Sequence, residues 1–256
     1  MPDAEGASRN GSVQSVERVF TLLELLTDAG GSLGLTQLAS ASGLPLPTIH
    51  RLMATLTTRG YVRRESSRRY SLGPRLVRLG EAASRAFGVW AGPSLRKLVD
   101  LTGETANLAM LDGDTVLYVA QAPSPHSMRM FTEPGRRVLP HCTGVGKALL
   151  AQMAAEDARA ILARTGMPAQ TPATITDPDK LIDQLTIIRT QGFAIDDGEQ
   201  EIGVRCVAVP VTAAPGLVAI SVSGPQARVT EDDVRRFVPM LQQVADELGQ
   251  AVATYQ

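Results

Sequence analysis

The sequence predicts a two-domain protein, an N-terminal, mainly α winged helix-turn-helix followed by a C-terminal α+β domain. Three observations lead there. Arginine is concentrated at the front: residues 1–90 hold eleven Arg, no Lys and seven acids, a balance of +4, whereas residues 91–256 carry −5. Helical apolar spacing over the first sixty or so residues gives way to two short β-rich segments around a turn. Further on, apolar strand-like runs alternate with helical patterns, as in an α+β layer structure. A chain of 256 residues, 44% hydrophobic and 4% aromatic, can bury two cores made mostly of Leu, Val, Ile and Ala.

Val16, Val19, Phe20, Leu23 and Leu26 fall at helical spacing, and Gly30-Gly31 ends that first helix. A short second helix follows, with Thr36 as its N-terminal cap, Leu38 and Ala39 inward and Gly43 at its end. Pro45 and Pro47 punctuate the connection to a third helix, TIHRLMATLTTRG. There Ile49, Leu52, Met53 and Leu56 make the buried face, leaving Thr48, His50, Arg51 and Thr55 outside it. Two helices joined by a short glycine-containing turn describe a helix-turn-helix, whose second helix fits the major groove. YVRRESSRRYSL then reads as two short strands with Arg63, Arg64, Arg68 and Arg69 beside the turn, a basic wing suited to phosphate or the minor groove.

Between Pro47 and Arg85 there are nine Arg against Glu65 and Glu81. Charge alone fits a solvated face as well as a nucleic-acid surface; the order of three helices and a basic hairpin favours double-stranded DNA. Arg51 has the best case for a base or phosphate contact, because a guanidinium binds guanine or phosphate through two donors. His50 fits a groove contact or an ordinary surface position equally well.

PRLVRLGEAASRAFGVWAGP continues as a linker helix that Gly88 and Gly92-Pro93 close, and SLRKLVDLTG forms another. Asp112-Gly113 between two apolar runs signals a hairpin, and SMRMF is a candidate third strand. FAIDD, VRCVAVPV and GLVAISVS read as strands; helices fit 146–154, 155–164, 178–191 and 230–255. The expected organisation is a flexible 1–12, a winged helix-turn-helix over 13–73, a linker helix over 74–90 and the α+β domain over 91–256. No run of about 18 apolar residues and no secretory leader is seen, so a cytoplasmic protein with no membrane partner is expected.

HCTGVGKALL is the segment most suggestive of chemistry. As a phosphate loop it fails: His141 stands where the first glycine belongs and Ala148 where the magnesium-binding hydroxyl belongs. With three His, two Cys and no Cys-x-x-Cys spacing, no zinc site is expected, and no cofactor. A nucleophilic Cys142 or Cys206 needs a base and a lowered pKa that the sequence does not display, so no catalytic residue is assigned. Gly144 and Gly146 then have two readings, a tight turn before a core helix or a helix start offering backbone N–H groups to a small anion.

Taken together, VQSVERVFTLLELL, LTQLASASGLPLPTIHRLMATLTTRGYVRR, YSLGPRLVRLG, HCTGVGKALLA, GFAIDDGEQEIGVRCVAVPV and AISVSGP resemble the IclR family of bacterial transcription regulators, in family order from about Val13 to the C-terminus. Leu46-Pro47 departs from the polar pair often found there, which removes the expected cap and a phosphate contact. The resemblance implies a GAF-like effector-binding domain at the rear, with Gly144, Val145, Asp196, Cys206, Ser221 and Ser223 around a small effector and Met130 and Val204 as apolar lining. Ser221 and Ser223 lie two apart, on one face of a strand; the same pattern followed by Gly-Pro also fits an ordinary solvent-facing edge. Asp197, Glu199 and Glu201 read as solvated charges or cap partners. Thr36, Pro47, Thr48, His50, Arg51, Thr55 and the wing arginines are the expected DNA-binding set.

The expected function is therefore an effector-controlled repressor acting as a homodimer or dimer of dimers. The small polar set favours a short carboxylate or purine-catabolism compound, such as glyoxylate or an allantoin-pathway ureide, over an aromatic acid. The alternatives are a cysteine-dependent hydrolase or transferase with an appended winged helix, and a protein-interaction scaffold.

Overall fold

The computed structural model describes residues 13–129, 132–212, 214 and 216–253, without the side chains of 84–88, 252 and 253. The chain forms two compact units, Met1–Ala83 and Ser84–Gln256.

In the first unit, α1 (Gln14–Asp28), α2 (Leu35–Ser42) and α3 (Leu46–Thr58) enclose a core of Leu22, Leu26, Leu38, Ile49, Met53 and Leu56. Burying each such side chain is worth about 1.5–3 kcal/mol before the cost of ordering it. Phe20 and Val16 are exposed, at 60% and 48%, and Leu22 takes the buried place expected of them. Their spacing with Leu23 and Leu26 is helical, but the inward stripe is Leu22–Leu26, flanked by Val19, Leu23 and Leu25.

Thr36 does not cap α2. The cap is Gly34, whose N–H donates to Gln37 Oε1 at 3.0 Å, and Thr36 lies inside the first turn. Gly43 closes α2 at φ +68°, a left-handed conformation in which a glycine avoids the Cβ clash, and its N–H donates to the Ala39 carbonyl. Pro45 precedes α3 without a side-chain cap, as Leu46-Pro47 implies. β2 (Val62–Arg64) and β3 (Tyr70–Leu72) form the wing hairpin. A strand absent from the sequence reading, β1 (Ser32–Leu33), pairs with β3 and completes a sheet of order β1-β3-β2.

The second unit is built on a six-stranded antiparallel sheet of order β6-β5-β4-β9-β8-β7. Its strands are β4 (Thr105–Asp112), β5 (Thr115–Ala122), β6 (Arg137–Val138), β7 (Ala194–Asp197), β8 (Val204–Pro210) and β9 (Val218–Pro225). Asp112 pairs with Thr115 across a two-residue turn in which Gly113 has φ +61°, as the Asp-Gly signal predicts. SMRMF supplies no strand over Ser127–Arg129, and its last two residues lie outside the described ones; the edge strand is β6.

Ala91, Leu95 and Leu98 of α4 (Arg75–Thr102) cover one face of the sheet with Phe237, Leu241 and Val244 of α8 (Glu231–Ala253). The other face carries α5 (Gly144–Leu150), α6 (Ala155–Thr165) and α7 (Pro178–Gln191). Gly92-Pro93 does not divide α4, contrary to expectation. A helix-interior proline costs about 3 kcal/mol. Burial of Ala91, Leu95 and Leu98 around it offsets that, an effect no local rule sees. α5 begins at Gly144 and stops at Leu150, earlier at both ends than its apolar run suggests.

Candidate DNA-binding surface and effector site

On α3, His50, Arg51 and Thr55 are exposed and Thr48 is half-buried, opposite the Ile49–Met53–Leu56 face. A cleft beside this surface is lined by Ser15 and Arg18 of α1 together with Thr48, Arg51, Leu52 and Thr55. Ser15 and Arg18 were not among the residues expected from sequence. They reach the surface because α1 passes beside α3, and only their helical setback from Leu22 hints at it.

The four wing arginines are not equivalent. Arg63 Nε donates to Ser71 Oγ at 2.9 Å, and Arg69 donates to the Ser32 hydroxyl and carbonyl, tying the hairpin to β1. Arg64 lies 5.9 Å from the Tyr70 ring centroid. Arg68 sits at the exposed tip with φ +64°. Among the described residues, no carboxylate forms an ion pair with Arg51, Arg64 or Arg68, so their charge is available to phosphate.

In the second unit, strand register gathers most of the expected effector residues. Asp196, Cys206, Ser223 and Thr105 align across β7, β8, β9 and β4, and Ala208, Ser221 and Asn107 align across β8, β9 and β4. All point to the face that carries α5. β9 is a central strand, and Ser221 and Ser223 are 0% and 5% exposed, so the solvent-edge reading of Ser-x-Ser is excluded. Val204 begins β8 on the same face, half-buried; Met130 lies outside the described residues.

The glycines of HCTGVGKALL serve close approach. A Cβ on Gly144 would lie 2.9 Å from Cys206 Sγ, and one on Gly146 would collide with the Pro140 carbonyl. Thr143 caps α5, its Oγ1 accepting from Gly146 N–H at 3.1 Å. That leaves the first-turn amides of Gly144 and Val145 without an intrahelical acceptor, above Cys206.

Asp196 Oδ1 accepts from the Glu199 and Gln200 amides at 2.7 and 3.3 Å. Burial outweighs those bonds and pushes its carboxyl up to about 6. Glu199, expected at the surface, is buried and forms an ion pair with the fully buried Lys147, while its backbone carbonyl accepts from the Thr171 and Thr174 hydroxyls. Asp197 and Glu201 do lie at the surface, Asp197 paired with Arg205.

Burial holds the Cys142 thiol up to about 12 and the Cys206 thiol up to about 11, with the Asp196 charge adding to both. Both stay protonated near neutrality, the opposite of an activated nucleophile. Burial also lowers the His141 pKa, against the opposing effect of its 3.1 Å contact with the Pro168 carbonyl. Among the described residues no cluster of His, Cys, Asp and Glu is arranged to hold a metal ion. No helix among them is long and apolar enough to cross a membrane.

Family models decide the class. Residues 15–66 match the IclR helix-turn-helix domain, and residues 88–250 match the C-terminal domain of bacterial IclR transcriptional regulators. The chain belongs to the IclR family. It is 36% identical to the HTH-type transcriptional regulator BhcR of Paracoccus denitrificans over 97% of this chain and 90% of that one. To the transcriptional repressor IclR of Escherichia coli it is 35% identical, over 96% and 93%. A crystal structure of an IclR regulator from Alicyclobacillus acidocaldarius superposes with a TM-score of 0.79 at 30% identity, covering 94% of this chain and all of that one. These relatives are DNA-binding regulators of transcription and not enzymes, so the cysteine-hydrolase reading is set aside.

The rear domain also brings together polar residues not singled out from the sequence. Asn107, Gln121 and Tyr118 share the sheet face that carries α5. Burial, reinforced by the charges of Cys206 and Asp196, raises the Tyr118 phenol, which stays protonated. The available signal was the alternation of Thr105 and Asn107 with apolar residues in TANLAM.

Proposed function

We propose that this IclR-family regulator is a repressor whose grip on operator DNA is controlled by a small metabolite bound in residues 91–256. The DNA is bound by the winged helix of residues 13–73, and residues 74–90 serve as linker. The observation that carries the effector reading is the Ser221 hydroxyl: it is wholly buried and, apart from a weak interaction with the neighbouring Cys206 thiol, has no partner in hydrogen-bond geometry. A buried polar atom left unpaired costs about 1–3 kcal/mol, which a bound oxygen atom recovers. Lys147 is engaged by Glu199 and adds no free charge to this patch, so recognition by Ser221, Ser223 and Cys206 rests on neutral groups. That favours a short carboxylate or a purine-catabolism compound, such as glyoxylate or an allantoin-pathway ureide, over a bulky aromatic acid.

Two winged helices of a homodimer, alone or in a dimer of dimers, would read the halves of a near-palindromic operator in the cytoplasm. Effector binding changes DNA affinity only to the extent that it discriminates between the two arrangements of the dimer. The test is a thermal-shift screen of short carboxylates and ureides on the full chain, followed by gel-shift assays on DNA upstream of its own gene. A compound that raises the melting temperature and changes DNA affinity supports the reading. Compounds that bind without altering DNA affinity contradict it.

A further inference from the structure

A cleft of about 250 Å³ opens beside the edge strand β6, lined by Thr115, Arg136, Arg137, Gln170 and Gln200 with two aliphatic side chains and no carboxylate. None of these residues belongs to the expected effector set. The two arginines differ in what holds them. Arg137 is already engaged: it is paired with Asp112, and its Nη1 donates to Thr115 Oγ1 at 2.9 Å. Arg136 is exposed, and among the described residues no carboxylate pairs with it, Glu133 three residues back included. Its backbone is fixed all the same, since its N–H donates to the Glu133 carbonyl and its carbonyl accepts from Tyr118 N–H, both at 3.0 Å. Gln200 is oriented from the inside. Burial keeps the Cys142 thiol protonated, and it donates to Gln200 Oε1 at 2.9 Å, so Nε2 is the end of the amide left for the cleft. Glu199, next in the chain, is paired with Lys147 and adds no unbalanced charge. The lining thus offers donors and one uncompensated positive charge.

We infer that this cleft is a second ligand site, for a small phosphate-type oxyanion, with Arg136 as its charged anchor and the Gln200 amide as a further donor. The donors stand on three separate segments: Arg136 before β6, Gln170 between α6 and α7, and Gln200 after β7. An anion that meets all three must present acceptor oxygens in several directions, which a tetrahedral phosphate does and a planar carboxylate does not. A guanidinium binds phosphate through two parallel N–H donors, and such charge-assisted bonds are about twice as strong as neutral ones. The volume lies below the range of about 300–1,000 Å³ found for drug-sized ligands, so the cleft suits a small anion. Inorganic phosphate and the phosphate of a small phosphomonoester share this chemistry. Occupation also has a route to the domain interior. Gln200 N–H donates to Asp196 Oδ1 at 3.3 Å, so an anion held by the Gln200 side chain steadies the turn that Asp196 organises. The inference is independent of which effector binds on the sheet face.

The test is calorimetric titration of the full chain with inorganic phosphate and with glycerol phosphate, at constant ionic strength. Saturable binding at about 1 mM or tighter is expected for at least one of them, and the tighter of the two tells free phosphate from a phosphomonoester. Arg136→Gln, at an exposed position, should weaken that binding about tenfold or more. Gln200→Glu keeps an acceptor for the Cys142 thiol but sets a carboxylate against the anion, and should abolish binding. Lys97→Gln removes the same charge from the exposed Lys97–Glu247 pair and should change the affinity by less than about twofold. A tenfold excess of acetate should likewise leave the phosphate affinity within about twofold. Failure of both phosphates to bind overturns the site, as does binding that survives both Arg136→Gln and Gln200→Glu. An equal loss in Lys97→Gln overturns it too, because diffuse attraction to net charge would then explain the binding. Displacement by acetate overturns the phosphate class. Each of these results leaves the effector reading standing, since that reading is tested by carboxylates, ureides and DNA affinity.

Discussion

Lys147→Met removes the positive half of the buried Lys147–Glu199 pair and keeps the aliphatic volume. Lys147 is 0% exposed and Glu199 6%, and Glu199 Oε2 already lacks a partner, so the substitution strands a carboxylate with no compensating charge. Breaking a buried pair from one side costs about 3–5 kcal/mol, which for a domain of this size lowers the melting temperature by about 6–20 °C. The loop itself should persist, because Asp196 still accepts the Glu199 amide and Thr171 and Thr174 still donate to the Glu199 carbonyl. Trp90, the only tryptophan in the chain, packs against the sheet core of the second unit, so its fluorescence reports unfolding of that unit. The double variant Lys147→Met/Glu199→Leu should recover most of the loss, since apolar replacement of both partners is near neutral or stabilising. A single variant that melts within about 1 °C of the wild type, or a double variant no better than the single, would refute the assignment of this pair as a structural clasp.

Asp196 holds its proton up to about 6 in the folded chain against 3.8 as its ordinary value, so its contribution is full below that ordinary value and is lost as pH rises through about 6. Asp196→Asn keeps the oxygen that accepts the Glu199 and Gln200 amides; it should therefore be stabilised on the order of 3 kcal/mol at about pH 7.5, with the gain shrinking towards pH 4 in thermal melts. Arg68→Ala should weaken binding to all duplexes alike and reduce the salt slope of affinity by about one, whereas Arg51→Ala should relax sequence preference by about 1–3 kcal/mol; unchanged gel shifts in both would remove the groove and wing assignments. Arg69→Ala severs the tie to Ser32 and should lower the melting temperature of the first unit besides weakening DNA binding. Gly146→Ala meets backbone at Pro140 and should destabilise more than Gly144→Ala, which meets the Cys206 side chain and should chiefly weaken effector binding, as urea melts and titration would separate.

Local signals made most elements legible. Period-3.6 stripes located α2 and α3, the Asp112-Gly113 turn located the β4–β5 hairpin, and period-2 alternation marked β8 and β9. What failed was non-local. β1 is two residues long and exists only because β3 offers it a partner 37 residues away. Pro93 reads locally as a break, yet α4 passes through it because the sheet core on one side holds the helix together. Phe20 looks like core by composition and spacing, and only the position of α1's neighbours shows that Leu22 lies on the inward face instead. In each case a weak local preference yielded to a tertiary contact whose partner is distant in sequence.

The site shows the same division in its chemistry. Lys147 beside two glycines suggests phosphate, and the spacing rule correctly rejects it, but rejection does not say what a lysine is doing there. Its role depends on Glu199, 52 residues on, and a carboxylate in GEQE carries no mark of burial. The glycines are likewise explained by Pro140 and Cys206, groups that come within reach only when α5 settles on β8. Polar residues in apolar strands are the more informative signal. A strand that spends a buried position on Asn107 or Ser221 loses about 1–3 kcal/mol for each unpaired group, a loss that is hard to explain unless some occupant restores the bonds. By that criterion Asn107 stands out in TANLAM from residue type and alternation alone.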